Sequence, residues 1–389
     1  MLPEISLTNA MKLYKTIGIC ALLGAISATA ATPRVDTRPF GRMSTGEDVT
    51  LYRITNDSGS YIELIDYGCR IVGIHVPDRN GNLVDVVPGY DNIDDFEHGS
   101  ERFFGALIGR FGNRIAEGSF MLGDSLVQLS LNENLAGHPG HIHGGEKGFD
   151  RVMWQGEAVS EGDRAGVRLH RLSPDGEEGY PGNLDCTVTY WWDNDAKWSA
   201  VYEATTDKPT IVNMSNHTYF NLRGANAGYV MDNIMQVDAD WYLPNTPWFT
   251  PIGLKEPVEG TPFDMREPAR VDHAIDTPSE AINTMRGFST TWVLRDYDGT
   301  LRRVADLYQP ETGIGIELST TEPGLLTYTG RLFNDSVVGK GGRPVQKFGG
   351  MLLETLHFPD SPNNPKFPST VLRPGEKYHS RTDFHFYNK

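Results

Sequence analysis

Apolar and polar residues alternate with a period of two through most patterned segments of this chain. Residues 50–55, 61–65, 71–76, 125–131, 166–172, 184–191 and 314–319 alternate or are rich in β-branched and aromatic residues. That is the pattern of strands whose successive side chains point to opposite faces. Turn pairs stand between them: Asn80-Gly81, Asp175-Gly176, Asp298-Gly299, Gly341-Gly342 and Pro374-Gly375. Helical periodicity is confined to a turn or two near 92–99. Many short strands without crossover helices predict an all-β fold of stacked antiparallel sheets.

No composition shift, linker or internal repeat divides the 389 residues, so one large domain over 35–389 is expected. The formal net charge of −16 repels a polyphosphate, and no basic cluster marks a nucleic-acid face. A neutral small molecule suits this charge better. Lys12 and Lys15 precede an apolar stretch, 17–26, followed by Ala28-Thr29-Ala30. Together these read as a signal peptide over 1–30, cleaved after Ala30, for export to a periplasm or the outside. The ten residues before Met11 carry Glu4 and no positive charge, which points to Met11 as an alternative start of translation. Lipidation at Cys20 is disfavoured by the bulk of Ile19 before it. Once the signal is removed, no stable membrane association is expected. Cys69 and Cys186 remain, and the sequence leaves open whether they pair. Monomer and homodimer also stay open.

Candidate chemistry begins with His143, in a segment that also holds His138 and His141. The neighbouring Gly144 and Gly145 keep backbone crowding low, so a ligand can approach. The spacing of His141 and His143 would place both on one strand face, which opens a metal reading, but no Cys pair or His-Glu-x-x-His helix supports it. Next, alternation puts Asn213, Ser215, His217 and Tyr219 on one face of a strand within 211–221. A polar row on a central strand is costly unless it lines a wet cleft or a bonded network. Glu354 shares its strand face with Leu352 and Leu356. An apolar surrounding raises the cost of ionising a carboxylate, a known way to tune a general base. A buried Glu–Arg pair is the structural alternative.

Asn113 and Arg114 follow the apolar segment 103–108, and Asp264 lies in a turn-rich loop. Such polar groups beside aromatics make the hydroxyl-reading lining of sugar pockets. At this level a glycosidase using Glu354 with Asp264 remains open.

Longer motifs narrow the choice. Gly109-Arg110-Phe111-Gly112-Asn113-Arg114-Ile115 is followed by His143-Gly144-Gly145, with Gly148-Phe149-Asp150 three residues on, and by Asn216-His217-Thr218-Tyr219-Phe220-Asn221. Then come Gly260-Thr261-Pro262-Phe263-Asp264, Leu353-Glu354-Thr355 and Phe358-Pro359-Asp360-Ser361-Pro362-Asn363. In this order, over most of the chain after residue 35, they resemble the aldose 1-epimerase (galactose mutarotase) family. The resemblance implies a large twisted antiparallel β-sandwich with its site in a cleft on one sheet. It implies catalysis by His217, Glu354 and His143, and sugar binding by Asn113, Arg114 and Asp264.

The implied reaction interconverts α and β anomers of a free aldose of glucose or galactose type. Glu354 would take the anomeric hydroxyl proton and His217 would protonate the ring oxygen, with roles exchanged on closure. No cofactor and no metal is needed, since only protons move. A non-catalytic carbohydrate-binding module on the same scaffold is the alternative. Two departures bear on sugar choice. Ser289-Thr290 stands where many family members carry Asp-His, and Arg331 stands where an Asn is common.

Overall fold

The period-two segments form antiparallel ladders in a computed structural model that describes residues 33–279, 282 and 287–389. The expected signal segment, 1–30, lies outside the described residues. The largest sheet runs, in spatial order, Gln155–Glu161, Arg164–Ser173, Leu184–Asp193, Lys197–Thr206, Tyr378–Asn388, Ile314–Thr320, Arg302–Tyr308, Ile234–Val237 and Ala269–Arg270. A six-stranded sheet is ordered Tyr219–Phe220, Met351–Leu356, Gly324–Tyr328, Ser289–Leu294, Ala239–Leu243 and Glu256–Pro257. A five-stranded meander over Arg34–Arg42, Asp48–Thr55, Tyr61–Ile65, Arg70–Pro77 and Leu83–Asp85 completes the large sheets.

One apolar core joins all three. It takes Val188, Trp198, Ile316 and Phe384 from the first sheet, Trp292, Leu325 and Leu353 from the second, and Ile62 and Ile74 from the third. Trp198 stacks on Phe384 at 4.6 Å between centroids, and Phe220 meets Phe384 at 5.4 Å. Each such side chain contributes about 1.5–3 kcal/mol by leaving water.

The strand Met351–Leu356 is buried on both faces. Met351 and Leu353 enter the shared core, and the Thr355 hydroxyl lies 2.5 Å from that of Thr382 on the nine-stranded sheet. Leu352 and Leu356 point the other way, into a second cluster with Phe104, Tyr219 and Phe333. Period two therefore drops Glu354 onto that second face.

Several elements differ from expectation at their edges. The strand expected over 125–131 stops at Gln128, because Leu129 and Ser130 donate to the carbonyls of Gly118 and Glu178 instead. The strand expected over 211–221 breaks into Ser215–His217, paired with Ala106–Ile108, and Tyr219–Phe220, paired with Met351–Leu352. Changing partners at Thr218 carries the chain from one sheet to another. The expected helical turn is Ile93–His98, capped by Asn92, whose side chain accepts from the Asp95 N–H at 2.9 Å. A second short helix, Val271–Asp276, is too brief to leave a periodic trace. Cys69 and Cys186 are separate buried thiols. Among the described residues no helix is long and apolar enough to cross a membrane.

Candidate active site

The strand carrying Glu354 forms one wall of a cavity of about 180 Å³. Glu354, His217, His143, Asn113 and Arg114 all line it. Five of the six expected site residues, spread over more than 200 positions of sequence, thus converge.

His143 is the first residue past the strand His138–Ile142 and takes φ 51°. That left-handed step turns its ring away from the strand's alternation. The backbone N–H of His143 donates to the Asn113 carbonyl at 3.2 Å, and the Asn113 N–H donates to His143 Nδ1 at 3.1 Å. The adjacent Gly144 has a different purpose from the ligand access expected of it. A Cβ there would sit 1.7 Å from the Gly109 carbonyl oxygen, so only glycine lets the two loops meet.

The histidine cluster disperses. His141 is buried away from the cavity, its Nδ1 donating to the Ser130 carbonyl at 2.8 Å and its Nε2 accepting from the Tyr180 hydroxyl at 2.6 Å. His138 stacks on Trp248 at 3.6 Å. The shared strand face that suggested metal ligation does not exist, because the strand ends between His141 and His143. Among the described residues no three His, Cys, Asp or Glu side chains gather in a metal-holding group.

Phe103 packs against both cavity histidines, 4.8 Å from His143 and 5.4 Å from His217. Its neighbour Arg102 covers the Phe103 ring at 4.7 Å, forks onto Asp150 at 2.7 and 2.8 Å, and donates to the Gly145 carbonyl at 2.9 Å. This clamp fixes the His143 loop against Phe103. His143 and His217 meet edge to face at 5.0 Å.

Electrostatically the cavity disfavours charge. Burial raises Glu354 to about 8, outweighing the pull of nearby Arg114 and Ser215. Neither Glu354 oxygen has a hydrogen-bond partner among the described residues, and the Ser215 hydroxyl donates to the Thr355 carbonyl at 2.8 Å. Burial lowers His217 to about 3 and holds His143 well below the usual imidazole value. At neutral pH the carboxyl is therefore protonated and both imidazoles are neutral. Together Glu354 and His217 hold one transferable proton.

The Glu–Arg alternative for Glu354 is not realised. Arg114 forks onto Glu133 instead, at 2.6 and 2.7 Å. Asp264 is the one expected site residue that does not line the cavity. Arg266, two positions along the same loop, captures its carboxylate at 2.8 and 2.7 Å. That separation also removes the Glu354–Asp264 pair a glycosidase reading would use.

Sequence reasoning passed over Glu101, Phe103 and Phe249, all of which line the cavity. Burial raises Glu101 to about 7. These residues sit on loops without periodicity, so only the aromatic pair Phe103-Phe104 offered a signal. Both departures from the family pattern fall in the wall: Ser289 and Arg331 line the cavity, with the Arg331 guanidinium 4.9 Å from the Phe249 ring centre.

Comparison with known proteins agrees with this geometry. The aldose 1-epimerase family pattern matches residues 50–385. The galactose mutarotase of Mus musculus is 36% identical over 348 residues, covering 89% of this chain and 97% of its own. The aldose 1-epimerase of Escherichia coli is 32% identical over 343 residues, covering 88% and 96%. A crystal structure of galactose 1-epimerase from Lactobacillus acidophilus superposes with a TM-score of 0.79 at 26% identity, over 92% of this chain and 99% of that one. The chain belongs to the aldose 1-epimerase family.

Proposed function

We propose that the protein interconverts the α and β anomers of free aldoses by acid–base-catalysed ring opening and reclosure. The observation that carries this is Glu354, a buried cavity-lining carboxyl raised to about 8 whose oxygens have no hydrogen-bond partner among the described residues. Sugar hydroxyls supply the missing donors and so favour the carboxylate once substrate is bound.

Ring opening needs a proton removed from the anomeric hydroxyl and one delivered to the ring oxygen. Glu354 and His217, sharing a single proton, meet that need in either direction, because closure reverses the roles. The resemblance assigns the base to Glu354 and the acid to His217. Burial favours the opposite resting arrangement, and substrate hydrogen bonds to Glu354 restore the first. Neutral His143 has Nδ1 occupied as an acceptor, so its Nε2–H is the free donor for charge growing on a sugar oxygen. Arg114, held by Glu133, and Asn113 orient hydroxyls. Protons alone move, so the reaction calls for no cofactor.

The test is the decay of optical rotation of freshly dissolved α-glucose and α-galactose. Glu354→Gln and His217→Asn are each expected to slow the enzymic decay by about 10²–10⁴-fold. Full activity in both variants would sink the assignment. With the histidines dispersed, dialysis against EDTA leaves the rate unchanged.

The sequence also supports export, with a single domain over 35–389 after a signal peptide over 1–30. Terminal sequencing of protein from the periplasm or medium is expected to begin at Ala31; a chain retained uncleaved inside the cell overturns this.

A further inference from the structure

The loop between the helix Ile93–His98 and the strand Ala106–Ile108 brings a second carboxyl, that of Glu101, into the wall of the catalytic cavity. This loop is fixed at both ends. The Gly99 N–H donates to the Asp95 carbonyl at 2.8 Å, and the Glu101 N–H donates to the Tyr90 hydroxyl at 2.9 Å. The Tyr90 ring is itself held edge to face by Phe96 and Phe104, at 5.3 and 5.1 Å. A Cβ at Gly99 would lie 2.4 Å from the Asp95 carbonyl oxygen and 2.5 Å from the Tyr90 hydroxyl, so the close approach needs glycine. On the far side, the buried Arg70 guanidinium donates to the carbonyls of Arg102 and Phe104, both at 2.9 Å. Glu101 is thereby preorganised before any ligand arrives.

Its carboxyl is bonded on one side only. Oε1 accepts the Phe103 N–H at 3.1 Å, and no ion pair or further hydrogen bond to the carboxyl occurs among the described residues. Burial raises the group to about 7. A desolvated polar group of this kind is costly unless a ligand completes its bonding. The cavity is where that ligand would sit. Burial raises the phenols of Tyr219 and Tyr328, and the charge of Glu101 raises both further; both tyrosines line the same cavity. Tyr219 also feels Glu354, yet neither carboxyl influences the other. The two carboxyls thus serve separate parts of one cavity.

We propose that Glu101 is a specificity-determining residue, whose Oε2 binds a hydroxyl of the aldose on a carbon other than C1. The inference rests on the anomer-exchange reading and deepens it by adding a requirement on the sugar. Glu354 and His217 act on the anomeric hydroxyl and the ring oxygen, which every cyclic aldose carries, so they cannot tell one aldose from another. Glu101, set apart from Glu354, meets a part of the ring that varies. A hydroxyl both donates and accepts, so it bonds this carboxyl in its ionised and its protonated form alike.

The experiment measures kcat and KM by polarimetry for α-glucose and its 2-, 3-, 4- and 6-deoxy forms, with the native enzyme, Glu101→Gln and Glu101→Ala. Glu101→Ala is expected to lower kcat/KM for glucose about ten- to a hundredfold, the worth of a hydrogen bond to a charged group, mainly through KM. Glu101→Gln, which keeps an acceptor and a donor, loses less. Three of the deoxy sugars show the same losses. The fourth, lacking the hydroxyl that Glu101 reads, is already poor with the native enzyme and loses nothing more in either variant. Equal losses on all five sugars would give Glu101 a structural part and overturn the proposal, as would failure of both variants to fold. Rates unchanged on all five would overturn it too. A native enzyme that leaves every sugar at the solvent rate overturns the anomer-exchange reading itself.

Discussion

The Asn113 N–H donates to Nδ1 of His143 at 3.1 Å, and this one bond leaves Nε2 as the donor nitrogen of the neutral ring. Burial keeps the ring neutral, so the proton resides on Nε2. Replacing His143 by Ala is expected to lower kcat about 10²–10³-fold, the usual loss for one donor aimed at developing charge. Because His143 stays neutral across the working range, the variant keeps the native pH profile. A profile that changes shape would make His143 a proton carrier instead.

Glu354 links activity to stability. Its pKa rises from 4.5 to about 8 on folding, so the folded state holds this proton more tightly than the unfolded chain. The stabilisation is present in full below pH 4.5 and is lost as pH rises through about 8. Glu354→Gln has no such proton to lose. Urea unfolding is therefore expected to find the variant gaining on the native protein between pH 5 and pH 9, by on the order of a few kcal/mol. A constant difference across that window would show that Glu354 is not desolvated.

The same proton shapes the rate. In the free enzyme, ionisation of Glu354 near pH 8 removes the acidic proton of the pair while His217 stays neutral, its remaining N–H being far too weak an acid to replace it. A plot of kcat/KM against pH is expected to be level around neutrality and to fall above about 8. Glu101, raised to about 7, also lines the cavity, so Glu101→Gln is the control. The alkaline limb stays near 8 if Glu354 sets it, and its loss in Glu101→Gln would reassign it.

Glu133 holds the cavity-lining Arg114 by a two-pronged ion pair. Glu133→Gln leaves the guanidinium without its ionic fork and free to swing. Losing such a charge-assisted bond, worth about 1.5 kcal/mol, is expected to raise KM roughly tenfold with a smaller change in kcat. An unchanged KM would mean that Arg114 does not read substrate.

Much of the site was legible in the linear chain. The Met351–Leu356 strand announced itself by being apolar at every position but two, and Glu354 stood out on the face it shares with Leu352 and Leu356. Family motifs then named His143, His217, Asn113 and Arg114. Asp264 was named as well and lies outside the cavity, since a motif records a residue but not the neighbour that captures it. Arg266 is such a neighbour.

What the sequence determined by itself is what short-range geometry governs. Strand periodicity, turn pairs and the face on which a residue falls depend on a few adjacent dihedrals and survive in the one-dimensional pattern. The tertiary structure decided the rest. It turned His143 out of line with His141 by a left-handed step at His143 itself, and brought Phe103, Glu101 and Phe249 in from loops. It also set the protonation of Glu354 and His217, because desolvation sums over every atom that excludes water from a group, and most of those atoms are distant in sequence.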